Sequence, residues 1–202
     1  MIEKSFTVEQ CLAVYWLDTK TTPSTANIQT AIRKSAEDRG FEVEPETIQE
    51  VVGHINGAQA GGDVNQWVVF ICFRGHPHTL WNFMLDTVAL AENDQHLEKI
   101  AAELAEHILS HYGSMIDYFE KWSEEDQVFK RMLTGVWRHR MSDEVWVRLR
   151  AIQADVSDPL PNMIPIEHGK DYMWESLSND DRTTSDKGFY VRNKDGEWDR
   201  KS

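Results

Sequence analysis

Asn65-Gln-Trp-Val-Val-Phe-Ile-Cys-Phe-Arg74 is the stretch on which the fold class turns. Its seven consecutive apolar residues, Trp67 to Phe73, are rich in β-branched and aromatic side chains, the composition of a buried strand. The same run suits the middle of a wholly buried helix, because periodicity does not separate the two in so short a window. Its neighbours decide the reading. Apolar residues on both sides recur at helical spacing, and no second strand of similar quality lies nearby. The run is read as helix and the chain as mainly α. It is also far short of the ~20 apolar residues that a membrane-spanning helix needs.

Upstream, Thr7-Val-Glu-Gln10 has the form of a capping box, and Leu12, Tyr15, Trp16 and Thr19 follow at spacings of three and four. Pro23-Ser24 restarts the chain. Ile28, Ala31, Ile32 and Ala36 mark a second helix that Gly40 closes. Phe41-Glu-Val-Glu-Pro45 alternates apolar and charged residues as a short extended link. Pro45 then opens a third helix carrying Ile48, Val51, Val52 and Ile55, ended by Gly57, Gly61 and Gly62.

Downstream, Pro77 opens a helix with Leu80, Trp81, Met84, Leu85 and Val88 on one stripe. Leu97, Ile100, Leu104, Ile108 and Leu109 form a longer stripe ended by Gly113, and Met115, Ile116, Phe119 and Trp122 form the next. Ser123-Glu-Glu-Asp126 reads as an N-cap with acidic first-turn residues, followed by Phe129, Met132, Leu133, Val136 and Trp137 on one helix. Ser142-Asp-Glu repeats the start signal before Val145, Trp146, Leu149 and Ile152. The result is an antiparallel stack of about seven helices over residues 1–154. Trp81, Gly135, Val136, Trp137, Val145 and Trp146 belong to its core.

Residues 155–202 read as a less regular extension. Pro159, Pro161 and Pro165 break helices, and Asn179–Lys187 is polar. Residues 188–199 then form a short β-hairpin with Asp195-Gly196 in the turn. A lone hairpin is marginal in water, so it must pack on the helices, with Phe189, Val191 and Trp198 as the residues to do so.

Composition bounds the function. Eight Trp, eight Phe and five Tyr among 202 residues exclude wholesale disorder. The net charge of −13 repels phosphates and excludes a general nucleic-acid binder. Cys11 and Cys72 form no paired-cysteine motif and lie in apolar runs, as buried thiols do. The N-terminus, MIEKSFTVEQ, lacks a cationic segment followed by an apolar one, and a cytoplasmic protein is expected.

Candidate chemistry is sparse. His107 and His111, four apart, with Glu103 one turn earlier, have a spacing able to hold a metal. The HExxH motif is absent, and such pairs arise by chance among eight histidines. His76-Pro-His78 lies at a helix entrance. Asp180-Asp181 and Glu124-Glu125-Asp126 stand in polar stretches, and adjacent carboxylates do not face each other on a helix. Gly61-Gly62 lacks the context of a phosphate loop. Neither a catalytic residue nor a cofactor is expected.

Charge is distributed unevenly. Residues 92–126 hold ten acids against Lys99 and Lys121, and residues 41–63 hold five acids and no Lys or Arg. Residues 130–150 reverse this, with Lys130 and five arginines against Asp143 and Glu144. Either these faces neutralise one another, or an acidic surface steers a basic partner. Under the second reading the steering residues are Glu42, Glu44, Glu46, Glu120, Glu124, Glu125 and Asp126.

Leu80-Trp-Asn-Phe83, Leu133-Thr-Gly-Val-Trp137 and Met141-Ser-Asp-Glu-Val-Trp-Val-Arg148 resemble the entry and closing motifs of a family of small bacterial domains of unknown function. The resemblance spans residues 76–152. In the middle this chain departs from it, reading Glu103-Leu-Ala-Glu-His107 where relatives tend to carry Pro-Leu-Glu-Asp. Small acidic cytoplasmic proteins of this kind look similar to immunity proteins, which neutralise toxins. The resemblance therefore implies a non-enzymatic protein that docks on a basic toxin, such as a nuclease, and blocks its active site. Two alternatives stand beside it. One is an acidic nucleic-acid mimic that inhibits a nuclease or defence system. The other is a metal-dependent enzyme using His107 and His111.

Overall fold

The computed structural model describes residues 5–19, 28–57, 61–138, 140–161 and 186–201. Pro23-Ser24, Pro165 and Asp180-Asp181 lie outside them, as does most of the polar stretch before the hairpin. The fold is mainly helical, with a two-stranded antiparallel hairpin near the C-terminus.

Helix α1 (Val8–Asp18) is the inner helix. Thr7 Oγ1 accepts from Gln10 N at 3.2 Å and Gln10 Oε1 accepts from Thr7 N at 3.1 Å, closing the capping box. Cys11 through Leu17 are all buried, as expected of a helix apolar on every side. Against α1 pack α2 (Ile28–Glu37), α3 (Pro45–Asn56), α4 (Val64–Arg74) and α5 (Pro77–Ala89).

The deciding run is helical. Asp63 caps α4 by accepting from Asn65 N at 2.8 Å. The helix is not wholly buried, however. Val64, Val68 and Cys72, at i, i+4 and i+8, face the core, while Val69 and Phe73 are 37% and 42% exposed.

The long stripe from 94 to 111 is interrupted. Helix α6 (Asp94–Ile100) passes through a π-helical turn, Ala101–Ala105, into α7 (Glu106–His111). A π turn inserts an extra residue into the ladder and rotates the side chains before it relative to those after it.

Two helix boundaries depart from expectation. Helix α8 (Ile116–Glu125) runs through Ser123, whose hydroxyl donates to Glu120 O at 2.7 Å, so Ser123 is no cap. Asp126, in extended backbone, caps α9 (Gln127–Met132) by accepting from Val128 N and Phe129 N at 2.8 and 3.0 Å. Helix α9 then ends early. A 3-10 turn, Leu133–Gly135, leads into extended Val136, so Trp137 leaves the helix face and is only half-buried. Trp81, Gly135, Val136, Val145 and Trp146 are buried. The Trp81 ring meets Phe119 and Phe129 edge-on, with centroids 5.0 and 5.7 Å away. A Cβ on Gly135 would come within 3.0 Å of Ala101 Cβ and Leu160 Cδ1, so these segments approach as closely as a glycine permits.

Helix α10 (Asp143–Ala154) starts at Ser142, whose hydroxyl accepts from Val145 N at 3.3 Å. Buried Gln153 on α10 donates to Leu133 O at 2.8 Å and Val136 O at 3.0 Å, which ties the helix to the turn beneath it. The less regular segment is part of the same core at both described ends, since Leu160 and Trp198 join the buried cluster.

The hairpin pairs β1 (Tyr190–Arg192) with β2 (Trp198–Arg200), Arg192 opposite Trp198. Gly196 takes a φ of +84° in its turn, and Asn193 Oδ1 accepts from Asp195 N and Glu197 N at 3.0 and 2.9 Å. Of the three residues expected to anchor it, only Trp198 is buried; Phe189 and Val191 are 44% and 38% exposed. Strand alternation puts Tyr190, Arg192 and Trp198 on the docked face. Trp198 meets the Tyr112 ring at 5.5 Å, and Arg192 reaches Asp117 at 3.0 Å and lies over the Tyr118 ring.

Candidate functional site

The seven acidic residues expected to steer a partner separate into two groups. Glu42 and Glu44 flank Val43 in the extended link, and burial of Val43 turns both outward. Glu44 is the N-cap position of α3 and Glu46 lies in its first turn, where the helix dipole favours negative charge. All three are exposed.

The second group is divided in its roles. Arg148 Nε donates to Glu120 at 2.7 Å, and the same guanidinium reaches Asp117 at 2.8 Å. Glu120 is therefore half-buried in an ion-pair network, and Asp126 is engaged as a cap. Glu124 and Glu125 remain exposed in the last turn of α8. The two groups belong to different parts of the stack, since α3 packs on α1, α2 and α4 while α8 packs on α9 and α10.

Four of the six basic residues between 130 and 150 are engaged with acids. Arg131 holds Asp94 and Asp158, Lys130 holds Asp155, Arg138 holds Asp143, and Arg148 holds Asp117, Glu120 and Glu144. Hydrogen bonding from Arg131 holds the Asp94 carboxyl below the usual carboxylate range, and hydrogen bonding from Lys130 does the same for Asp155. Among the described residues, none of Glu42, Glu44, Glu46, Glu124 and Glu125 has an ion pair. Internal neutralisation thus uses a different set of acids.

The histidine pair does not complete a metal site. His111 Nδ1 lies 2.9 Å from His107 O, the two rings stack with centroids 5.8 Å apart, and Phe73 meets both edge-on. Glu103, before α7 in the π turn, lines a different cavity beside Lys99. Among the described residues, no three His, Cys, Asp or Glu side chains converge as metal ligands.

The cleft holding Glu103, of about 480 Å³, contains perturbed groups of the kind catalysis uses. Burial lowers the Lys99 ammonium and raises the Glu103 carboxyl. Yet Lys99 Nζ donates to Trp16 O at 2.7 Å, Thr19 O at 3.1 Å and Asn65 Oδ1 at 3.4 Å. All three ammonium hydrogens are taken by the last carbonyls of α1 and by α4, so Lys99 acts as a helix cap. His76 is engaged likewise, accepting from His78 N at 3.2 Å as the N-cap of α5. Burial pushes the Cys11 and Cys72 thiols up to about 11 and about 12, away from thiolate chemistry.

A smaller cavity of about 250 Å³ has the opposite character. Phe73 and Phe189 supply apolar lining, and His111, Arg140 and Lys187 the polar part. Arg140 takes a φ of +53°, and Lys187 Nζ donates to its carbonyl at 2.7 Å. Sequence reasoning missed this site because its residues come from four distant segments.

Residues 57–156 match a family model described as a family of unknown function (DUF6869). No curated protein and no solved structure matches the chain. The matched residues run from the end of α3 through α10, and α1, on which α4 and α5 pack, lies outside the match.

Proposed function

We propose that this is a non-enzymatic protein that binds a basic protein partner, and most specifically a cytoplasmic immunity protein that docks on a toxin such as a nuclease and covers its active site. One observation carries the reading: the chain bears −13, and Glu42, Glu44, Glu46, Glu124 and Glu125 stand exposed while Lys130, Arg131, Arg138 and Arg148 are engaged with other acids. Such a surface attracts a basic partner before contact and raises its association rate by ~10–1,000-fold at low salt. Affinity comes from apolar anchors, and Val69 and Phe73 on α4 are exposed side chains of that type. At ~0.15 M salt the screening length is about 8 Å, so the rate falls with salt while dissociation changes little.

The test is capture of the partner from the native host, then association kinetics across a salt series. Reversing Glu42, Glu44 and Glu46 to Lys, or Glu124 and Glu125 to Lys, should slow association and flatten its salt slope. A host that yields no partner, or a partner indifferent to both reversals, overturns the reading.

A further inference from the structure

Between α1, α3, α4 and α5 lies a cleft of about 510 Å³. Leu12, Trp67, Ile71 and Phe83 line its apolar part, and Trp67 meets Phe83 edge-on at 5.5 Å. Glu9 on α1 and Asp86 on α5 bring carboxylates to the same cleft. Asp86 is half-buried and, among the described residues, its carboxylate accepts no hydrogen bond and joins no ion pair. Burial, with the nearby charge of Glu9, raises its pKa. Asp94 and Glu120, also neither fully buried nor fully exposed, each hold an arginine. A partly desolvated carboxylate without a counter-ion is costly, and a cation delivered into the cleft offsets that cost.

We propose that this cleft receives an arginine side chain of a partner protein, its guanidinium between Glu9 and Asp86 and its aliphatic stem along Trp67 and Phe83. The volume lies in the range of ligand pockets. The paired acids suit a planar donor fork better than a compact ammonium, and the aromatic lining suits the weakly hydrated guanidinium. The assignment rests on the protein-binding reading above and names the chemistry of the anchor.

The test is titration of the full chain with acetyl-Leu-Arg-Leu-amide, followed through the Trp67 indole N–H resonance. The same peptide with lysine or citrulline in place of arginine serves as comparison. Saturable binding near millimolar affinity is expected, with the citrulline peptide, which keeps the shape and loses the charge, at least ~10-fold weaker. Asp86→Asn, close to isosteric, should weaken the arginine peptide by ~10-fold while leaving the melting temperature equal or higher; Glu9→Gln gives a second variant should the first perturb folding. Citrulline or lysine peptides binding as tightly as arginine, or a silent Trp67, overturn the assignment. The two readings fail separately. A captured partner indifferent to Asp86→Asn removes the cleft and leaves protein binding standing. A host without a partner removes the latter, and the peptide titration still decides the former.

Discussion

Arg39 grips Asp18 with both terminal guanidinium nitrogens, at 2.9 and 3.0 Å, across twenty-one positions of sequence. The pair ties the segment after α2 to the last residue of α1, and Arg39 also reaches Glu92 at 3.3 Å. Its side chain is only 6% exposed, whereas that of Asp18 is 32% exposed. Breaking a fully buried pair costs ~3–5 kcal/mol; with Asp18 partly solvated, Arg39→Ala should cost ~2–3 kcal/mol in denaturant unfolding. Burial alone would raise the Asp18 carboxyl, but the hydrogen bonds from Arg39 and Ser35 outweigh it and hold it below its usual value. The stability from this depressed carboxyl is present above the unfolded value near 4 and is lost as pH falls through the folded one. Asp18→Asn should therefore destabilise at neutral pH and approach the parent in strong acid. A gap that persists in acid would show that shape, not charge, holds this junction.

Glu106 should make stability depend on pH in the opposite sense. Burial pushes its carboxyl up to about 7, against a lowering from the Trp137 N–H, which donates at 3.3 Å. A raised carboxyl favours the protonated folded state, so its contribution is full below the ordinary value of 4.5 and is lost as pH rises through 7. The shift corresponds to a swing on the order of 3 kcal/mol. Glu106→Gln, compared with the parent by urea unfolding, should be nearly neutral at acid pH and relatively more stable at alkaline pH. A difference that does not change with pH contradicts this account.

Gly188 should tolerate no side chain. A Cβ there would lie 2.4–2.7 Å from the ring and hydroxyl of buried Tyr112, the residue on which Trp198 rests. Gly188→Ala should cost ~1–3 kcal/mol, as overpacking does. Displacing the hairpin should also red-shift Trp198 fluorescence, read in a variant whose other tryptophans are replaced by phenylalanine. Unchanged stability and emission would mean that the ring turns aside at no cost.

What could be read locally was read from the sequence. Thr7 and Gln10 form their capping box because both partners lie within one helical turn. The segment after Asp63 is helical, as its flanks required, and Gly196 turns the hairpin that alternation placed near the C-terminus. Local signals also misled where two local solutions competed. Ser123 and Asp126 are both able to cap, and the buried Phe119 and Ser123 on α8 carry that helix past the serine to the aspartate.

Burial and charge pairing were not legible, because they depend on residues that meet only in space. The apolar side chains of Trp67–Phe73 cannot announce which of them faces inward; α1 and the π turn select Val68 and Cys72 and leave Val69 and Phe73 outside. Alternation gives the hairpin two faces, and Tyr112 with Asp117 chooses the one bearing Trp198 and Arg192. The acids were countable, yet only the placement of Arg131 and Arg148 separates Asp94, Asp117 and Glu120, which are engaged, from Glu42 and Glu124, which are open. Sequence determines what each turn of chain is able to form, since those interactions span a few residues; which carboxylates and apolar faces are left for a partner is decided by contacts between residues twenty or more positions apart.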